Sequence, residues 1–291
     1  MHSYMRSIGF SRYINRVRCN ELIDKVMESP DIKQELMVTT EETIFEFRKQ
    51  FADNMGIVVH GIVNQRQEYE VEYFFPYFNG STVQVLEEIS IEKNISSISY
   101  YGACDDVRVG VSLIFYLQNG LEYLDHLLTI RSLNTYMPVA LSALALTGKI
   151  LLPIKKTEEE IKKNENDIKK KNKLIAAAKR GDEDAIEMLT IAEFDTYSKI
   201  SGRIMKEDIY SIVDSSFIPY GVSCDRYSII GNIVDVKKVK NEITAEDICI
   251  MKIDCNDLMY DVAINYADLV GEPMPGRRFK GVVWLQGIVG F

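Results

Sequence analysis

Short stretches that favour β-strands dominate the first 120 residues. The segments GIVVHGIV, YEVEYFFPYF, SSISYYGAC and RVGVSLIFYLQNG mix β-branched and aromatic residues with polar ones. Pairs such as Asn79-Gly80 and Asn119-Gly120 favour turns between them. Earlier in the chain, apolar residues recur at helical spacing and predict a helix around Cys19–Met27. These patterns predict an antiparallel or mixed sheet with some helical cover.

One long apolar run follows, PVALSALALTGKILLPI at 138–154. Gly148-Lys149 interrupts it and prolines bound it, so a membrane span is not expected. We interpret the run as a buried helix that turns into a buried strand. Residues 121–147 would then supply helical cover for the N-terminal sheet.

The pattern changes to helical spacing between residues 155 and 213. In LIAAAKRGDEDAIEML, Gly181 is placed to end one helix and Asp182 to cap the next. From about residue 224 the strand pattern returns, in YSIIGNIVDVKKV, ICIMKIDC, LMYDVAIN and the terminal segment. Four strands in so short a segment predict a small bent β-barrel, either OB-like or SH3-like.

The fold class expected from these patterns is α+β. We predict three domains: residues 1–154 with a sheet and helices, a helical segment at 155–213, and a barrel at 214–291.

The terminal strand carries the candidate ligand face. Strand alternation puts a core stripe on one face, formed by Phe279, Gly281, Val283, Leu285 and Val289. The other face carries Arg278, Lys280, Trp284 and Gln286. Cations followed by an indole could hold a phosphate and stack a base, as in proteins that bind single-stranded nucleic acid. Alternatively, this face is covered and Trp284 is a packing anchor.

Composition narrows the class of protein. The formal net charge of −9 argues against general affinity for nucleic acid or an anionic membrane. The five cysteines are scattered and form no C-x-x-C pair, so we expect no disulfide framework, no metal site and no cofactor. The opening MHSYMRSIGFSRY lacks the apolar run of a signal peptide. A cytoplasmic location is expected.

Several segments together resemble a known family. GDEDAIEMLT, DTYSKISGRI, EDIYSIVDSSFIPYG, GEPMPGRRFKGVVWLQG and the opening RSIGFSRY are similar to a family of functionally uncharacterised proteins from clostridial Firmicutes. The resemblance extends over essentially the whole chain. It implies a cytosolic bacterial protein of this length and assigns no catalytic or binding residues.

No recognisable catalytic motif is present, so whether the protein is an enzyme stays open. His60 in IVVHGIV is expected to be hydrogen-bonded structure, and Asp105-Asp106 in YYGACDDVRVG to belong to a turn. Our leading hypothesis is a non-enzymatic binding or regulatory module. Its partner would be a protein, a nucleotide or single-stranded nucleic acid. The alternative is an enzyme or small-ligand-binding protein with a cleft between the N-terminal sheet and the barrel, using the two aspartates and the cations.

Overall fold

The computed structural model describes residues 3–129, 137–154 and 208–291, together with parts of 166–192. Short gaps inside these ranges fall at 14, 41, 87–88, 95–97, 107 and 110. Most of the predicted helical segment 155–213 therefore lies outside the described residues. Within it, residues 183–192 are helical, and the Asp182 carboxylate accepts from the amide of Ala185 at 3.1 Å, as its predicted capping role requires.

Helices are few in the described part of the chain. They are a 3₁₀ helix at Ser3–Ile8, α1 at Arg16–Glu28, α2 at Gly120–Thr129, the residues 183–192, the short α3 at Ile209–Ile212, and a 3₁₀ turn at Tyr266–Asp268. The predicted helix around Cys19–Met27 corresponds to α1. It begins after Asn15, whose side chain accepts from the amide of Arg18 at 2.9 Å and so caps the helix. None of the helices in the described ranges has the length and apolar character needed to cross a membrane.

Two sheets make up most of the structure. The smaller is antiparallel, with strands in chain order: β1 (Ile32–Met37), β2 (Thr43–Ala52), β3 (Met55–Val63) and β4 (Tyr69–Phe78). The larger has eleven strands: β5 (Val83–Leu86), β6 (Ser90–Lys93), β7 (Tyr100–Asp106), β8 (Val111–Leu117), β9 (Met137–Leu151), β10 (Ser216–Pro219), β11 (Arg226–Lys240), β12 (Asp247–Cys255), β13 (Leu258–Asn265), β14 (Leu269–Val270) and β15 (Arg278–Val289).

The order of the larger sheet is β10-β11-β12-β13-β9-β15-β8-β7-β6, and β5 and β14 also pair with β9. The first half of β11 pairs in addition with β15, so this end of the sheet bends back on itself. Strands from both ends of the chain thus alternate: β9 lies between β13 and β15, and β15 lies beside β8. Hydrogen bonds therefore join segments more than a hundred residues apart.

The predicted α+β fold class is wrong in two respects. The described part of the chain is mainly sheet, with few helices, and the C-terminal strands do not form a small closed OB-like or SH3-like barrel. They belong instead to the eleven-stranded sheet, because β9, from the middle of the chain, lies between β13 and β15 and pairs with both. The strands predicted from local patterns are present, but the strands that they pair with lie far away in the sequence. The division into three domains stays a prediction.

The apolar run at 138–154 is also different from the prediction. It contains no helix: β9 is one strand of fifteen residues. Its side chains reach two separate apolar clusters, with Leu141 and Ala143 in one and Leu144 in the other. A strand buried on both faces has no polar alternation, so its sequence is easily mistaken for a buried helix.

The two clusters lie on opposite faces of the larger sheet. One contains Phe279, Val283 and Leu285 of β15, the predicted core stripe. The other combines residues of the smaller sheet, such as Phe45, with Trp284 from the opposite face of β15. The smaller sheet therefore packs against one face of the larger one.

Candidate functional site

Arg278, the first of the four predicted ligand residues, contacts backbone carbonyls. It is 3% exposed, and its guanidinium donates to the carbonyl oxygens of Leu152 (3.1 and 2.8 Å), Tyr210 (2.7 Å) and Val213 (2.7 Å). Burial lowers the pKa of this guanidinium. Arg278 thus joins β15 to the chain after β9 and to α3.

Lys280 and Gln286 also contact protein groups. The Lys280 ammonium meets the hydroxyl of Tyr210 and lies 4.2 Å from the centre of its ring. Gln286 is fully buried: its amide nitrogen donates to the carbonyl of Pro76 at 2.9 Å, and its oxygen accepts from the amide of Phe78 at 3.1 Å. The two cations share Tyr210 as a neighbour, whereas Gln286 lies in the interior between the sheets.

Trp284 lines a cleft. The indole is 4% exposed, and its nitrogen donates to Asp225 Oδ2 at 2.6 Å. It forms part of the wall of a cleft of about 310 Å³, together with Tyr4, Tyr101, Tyr116 and residues 222–226. Of the predicted residues, only Trp284 lines this cleft. We call it the aromatic cleft.

Four aromatic rings stand in a row along the aromatic cleft. The ring centres of Tyr4 and Trp284 are 5.4 Å apart, those of Trp284 and Tyr116 5.3 Å, and those of Tyr116 and Tyr101 5.8 Å. The ring planes turn by 34°, 57° and 90° along the row. The rings therefore meet one another at varied angles, unlike a flat stack.

The pairing of the strands explains this row. Tyr101 and Tyr116 are directly opposite each other on β7 and β8. Tyr116 is in register with Gln286 of β15, two residues from Trp284. Tyr4 comes from the N-terminal 3₁₀ helix. Residues far apart in the sequence meet here because β15 lies next to both β8 and β11.

Asp225 supplies the buried charge of the cleft. It is 7% exposed, its carboxylate accepts from the indole of Trp284, and its backbone carbonyl accepts from the amide of Leu285 at 2.9 Å. Burial raises the pKa of its carboxyl group, against the opposing effects of the indole hydrogen bond, a backbone hydrogen bond and the charge of Arg226. The pKa of Tyr101 is also raised, first by burial and then by the charge of Asp225. An ionised Asp225 is therefore incompletely stabilised.

Arg226 and Cys224 flank Asp225 and are both exposed. The Arg226 guanidinium lies 5.6 Å from the centre of the Tyr4 ring. Burial raises the pKa of the Cys224 thiol, and the charge of Asp225 raises it further. The thiolate is thus disfavoured. Among the described residues, no group of three or more His, Cys, Asp or Glu side chains could hold a metal ion.

A second cleft is larger, at about 610 Å³, and we call it the polar cleft. It lies between α1, β2 and the loop at 242–243, and its wall includes Arg48, Lys49 and Asp31. Lys49 donates to the carbonyl of Ser29 at 2.5 Å, and Arg48 to the carbonyl of Gln118 at 2.8 Å. Its cations therefore join separate parts of the chain.

Beneath the polar cleft lies a buried charged group. Glu46 contacts the guanidinium of Arg48, and its Oε2 lies 2.9 Å from His60 Nε2. Burial acts to raise the pKa of Glu46, but the charges of His60 and Arg48 outweigh it, so this pKa is lowered. The His60 ring stacks on Tyr73 at 4.8 Å. His60 is thus buried beside Glu46 and Tyr73, and its structural role stays a prediction.

The two neighbouring aspartates of the alternative hypothesis are the last two residues of β7, so the turn expected for them is wrong, and their side chains have different partners. Asp106 is buried and held by Arg108, whose Nε donates to Oδ1 at 2.9 Å. Asp105 is exposed and accepts from the hydroxyl of Ser112 at 2.5 Å. Neither lines the aromatic cleft or the polar cleft. The structure does not bring them together with Arg278 or Lys280.

A family model covers almost the whole chain. It is described as "Domain of unknown function, E. rectale Gene description (DUF3881)", and it matches residues 5–287. The chain belongs to this family. No curated protein and no solved structure matches it. The family match confirms the resemblance expected from the sequence.

In this DUF3881 chain, the sequence patterns missed Tyr4, Tyr116 and Asp225. Tyr116 belongs to the predicted strand RVGVSLIFYLQNG, where its role could not be told from that of a core aromatic. Asp225 precedes β11 at a point where no spacing marks it. Of the residues that line the aromatic cleft, Trp284 was the one that the sequence singled out. It is the only tryptophan in the chain, and its position alternates with those of the core stripe.

Proposed function

We propose that the protein is a non-enzymatic cytoplasmic binding module that takes a small organic cation into the aromatic cleft. The observation that supports the proposal most strongly is the row of four rings beside the buried carboxylate of Asp225. Aromatic faces attract cations, and quaternary ammonium groups are commonly bound by such walls. The free state of all five cysteines fits a reducing compartment.

The electrostatics of Asp225 support a cationic ligand. Burial disfavours its ionised form more than the neighbouring charge of Arg226 favours it, and the group that donates a hydrogen bond to it is the neutral indole of Trp284. A bound cation would offset that desolvation cost directly. A ring face that the ligand contacts could add about 0.5–2 kcal/mol of cation–π attraction, more where water is excluded, although the Tyr4 ring already has the guanidinium of Arg226 beside it.

The chemistry of the cleft supports binding in preference to catalysis. Cys224 is the thiol at its mouth, and its raised pKa disfavours the thiolate that a nucleophile needs. Asp225 accepts from an indole, which does not transfer its proton in ordinary acid–base catalysis.

Calorimetric titration with choline tests the proposal. We expect wild-type protein to bind choline, and Asp225→Asn to weaken binding by about tenfold or more, since an interaction with a charged partner is worth about 1.5–3 kcal/mol. Asp24→Asn removes an exposed carboxylate of α1 and is the matched control. Equal choline affinity for wild type and Asp225→Asn would contradict the proposal.

A second candidate is a nucleotide or single strand, which stays a prediction. The rings could stack a base, and the exposed Arg226 could meet a phosphate. The predicted cations Arg278 and Lys280 are less suited to this role, because both contact protein groups. Titration with AMP and with a short oligonucleotide distinguishes this candidate: tighter binding of either than of choline would favour it.

A further inference from the structure

Two consecutive residues carry opposite charges at different depths of the aromatic cleft. Asp225 is buried, whereas Arg226 is exposed. Consecutive residues of a regular strand would point to opposite faces. Here Asp225 precedes the first residue of β11, and the amide of Arg226 bonds to the carbonyl of Ser223 at 3.4 Å in a turn. Both residues consequently line the same cleft.

The two charges attract each other, but no hydrogen bond or ion-pair contact joins them among the described residues, and each has its own close contact. The Asp225 carboxylate accepts from Trp284, and the Arg226 guanidinium lies over the ring of Tyr4, with its carbon 5.6 Å from the ring centre. Arg226 is in register with Trp284 across β11 and β15, which fixes where its side chain leaves the backbone. The cleft thus has a negative group in its wall and a positive group at its rim.

We infer that the ligand of the aromatic cleft is a small zwitterion, with its cationic end against Asp225 and the rings and its anionic end against Arg226. This inference rests on the proposed function and adds the second charge. Guanidinium groups bind carboxylates and phosphates through paired hydrogen bonds. The size of the cleft, about 310 Å³, is at the lower end of ligand pockets and suits a compact molecule.

Two probes separate the zwitterion from a simple cation. Glycine betaine and choline share a trimethylammonium group, but betaine carries a carboxylate where choline carries a hydroxyl. Calorimetry with both probes is performed on wild type and on Arg226→Gln. Arg66→Gln makes the same charge change at an exposed turn elsewhere and serves as the control. Because Arg226 is exposed, we expect its replacement to leave the fold intact, and a thermal melt of each variant checks this.

The expected result is a change of preference between the probes. Wild type and Arg66→Gln should bind betaine more tightly than choline. In Arg226→Gln, betaine binding should weaken by roughly fivefold, the effect of about 1 kcal/mol from a partly solvated ion pair. Choline binding should stay the same or strengthen, because a like charge has been removed from the rim.

Two results would overturn the inference. If choline binds at least as tightly as betaine to wild type, or if Arg226→Gln leaves the ratio of the two affinities unchanged, the inference of a zwitterionic ligand is wrong, while cation binding stands. If neither probe binds wild type, both the zwitterion and the proposed function are wrong.

Discussion

The two clefts differ more in their charges than in their size. In the polar cleft, of about 610 Å³, Arg48 and Lys49 donate to backbone carbonyls of other segments. In the aromatic cleft, of about 310 Å³, Asp225 is buried beside four rings and accepts from a neutral indole. Charges already bonded to protein groups hold the fold together. A buried charge without an opposite charge bonded to it is better placed to attract a ligand.

This comparison explains why the larger cleft is the weaker candidate. A ligand entering it would have to compete with hydrogen bonds that join α1 to β2 and β2 to the chain after β8. A cation entering the aromatic cleft would gain a carboxylate whose charge is disfavoured by burial. The following predictions test this difference, beginning with the largest expected effect.

Replacing Trp284 by Ala should have the largest effect on folding. The indole is 4% exposed and belongs to the apolar cluster between the two sheets. Its removal should lower the free energy of unfolding by about 3–5 kcal/mol, as for other buried aromatic residues. Denaturant unfolding measures the loss, with Trp284→Phe as a milder control. A loss below about 1 kcal/mol would show that the aromatic wall is not part of the packed core.

Arginine replacements at the two clefts should differ strongly. Arg48→Met removes the guanidinium that contacts the buried Glu46 and leaves that carboxylate beside His60, so we expect a loss of about 3 kcal/mol. Arg226→Met, at the exposed rim of the aromatic cleft, should change stability by less than about 0.5 kcal/mol. Chemical denaturation of both variants gives the comparison. Similar losses would mean that Arg226 is as structural as Arg48.

The buried carboxylates should respond to pH in opposite directions. The pKa of Asp225 is raised on folding, so the folded protein holds its proton more tightly, and stability falls as pH rises from the ordinary aspartate pKa to the folded one. The pKa of Glu46 is lowered, so its contribution is present above its unfolded pKa and is lost as pH falls through the folded value.

Asp225→Asn should therefore be at least as stable as wild type near pH 7. The variant should also lack the part of the pH dependence of stability that comes from the titration of Asp225. Glu46→Gln should destabilise the protein at the same pH. The melting temperatures of both variants, measured from about pH 4 to about pH 8, test these predictions, because shifted carboxyl groups titrate in this range. A destabilised Asp225→Asn at neutral pH would mean that the carboxylate is needed for folding.

Cys224→Ser should have the smallest effect. The thiol is exposed at the mouth of the aromatic cleft and its thiolate is disfavoured, so neither the rings nor Asp225 depend on it. We expect stability to change by less than about 0.5 kcal/mol and choline affinity to stay the same. Loss of choline binding in this variant would show that the ligand depends on the Cys224 thiol and not on the Asp225 carboxylate alone.

The sequence predicted local strands better than their arrangement. Alternation along β15 correctly placed Phe279, Val283 and Leu285 in the core and Trp284 on the other face. Period-two patterns report which side of a strand is apolar, and that property is local. Which strand pairs with which is not local, so the insertion of β9 between β13 and β15 could not be read from either segment.

The site shows the same limit. Trp284 was singled out for its chemistry, but the cations grouped with it by strand alternation contact Tyr210 instead. The partners it does have, Asp225 and Tyr4, come from segments about 60 and 280 residues away along the chain, as pairing through the large sheet allows. No sequence spacing marks such a meeting.

The most direct test of cation binding compares choline with 3,3-dimethyl-1-butanol, in which a carbon replaces the charged nitrogen. The two molecules have nearly the same shape, so a difference in affinity measures the effect of the positive charge. Titration is followed by calorimetry and by the fluorescence of Trp284, the only tryptophan. The account predicts that choline binds at least about tenfold more tightly than the neutral alcohol. Equal affinities, or binding of the alcohol alone, would contradict it.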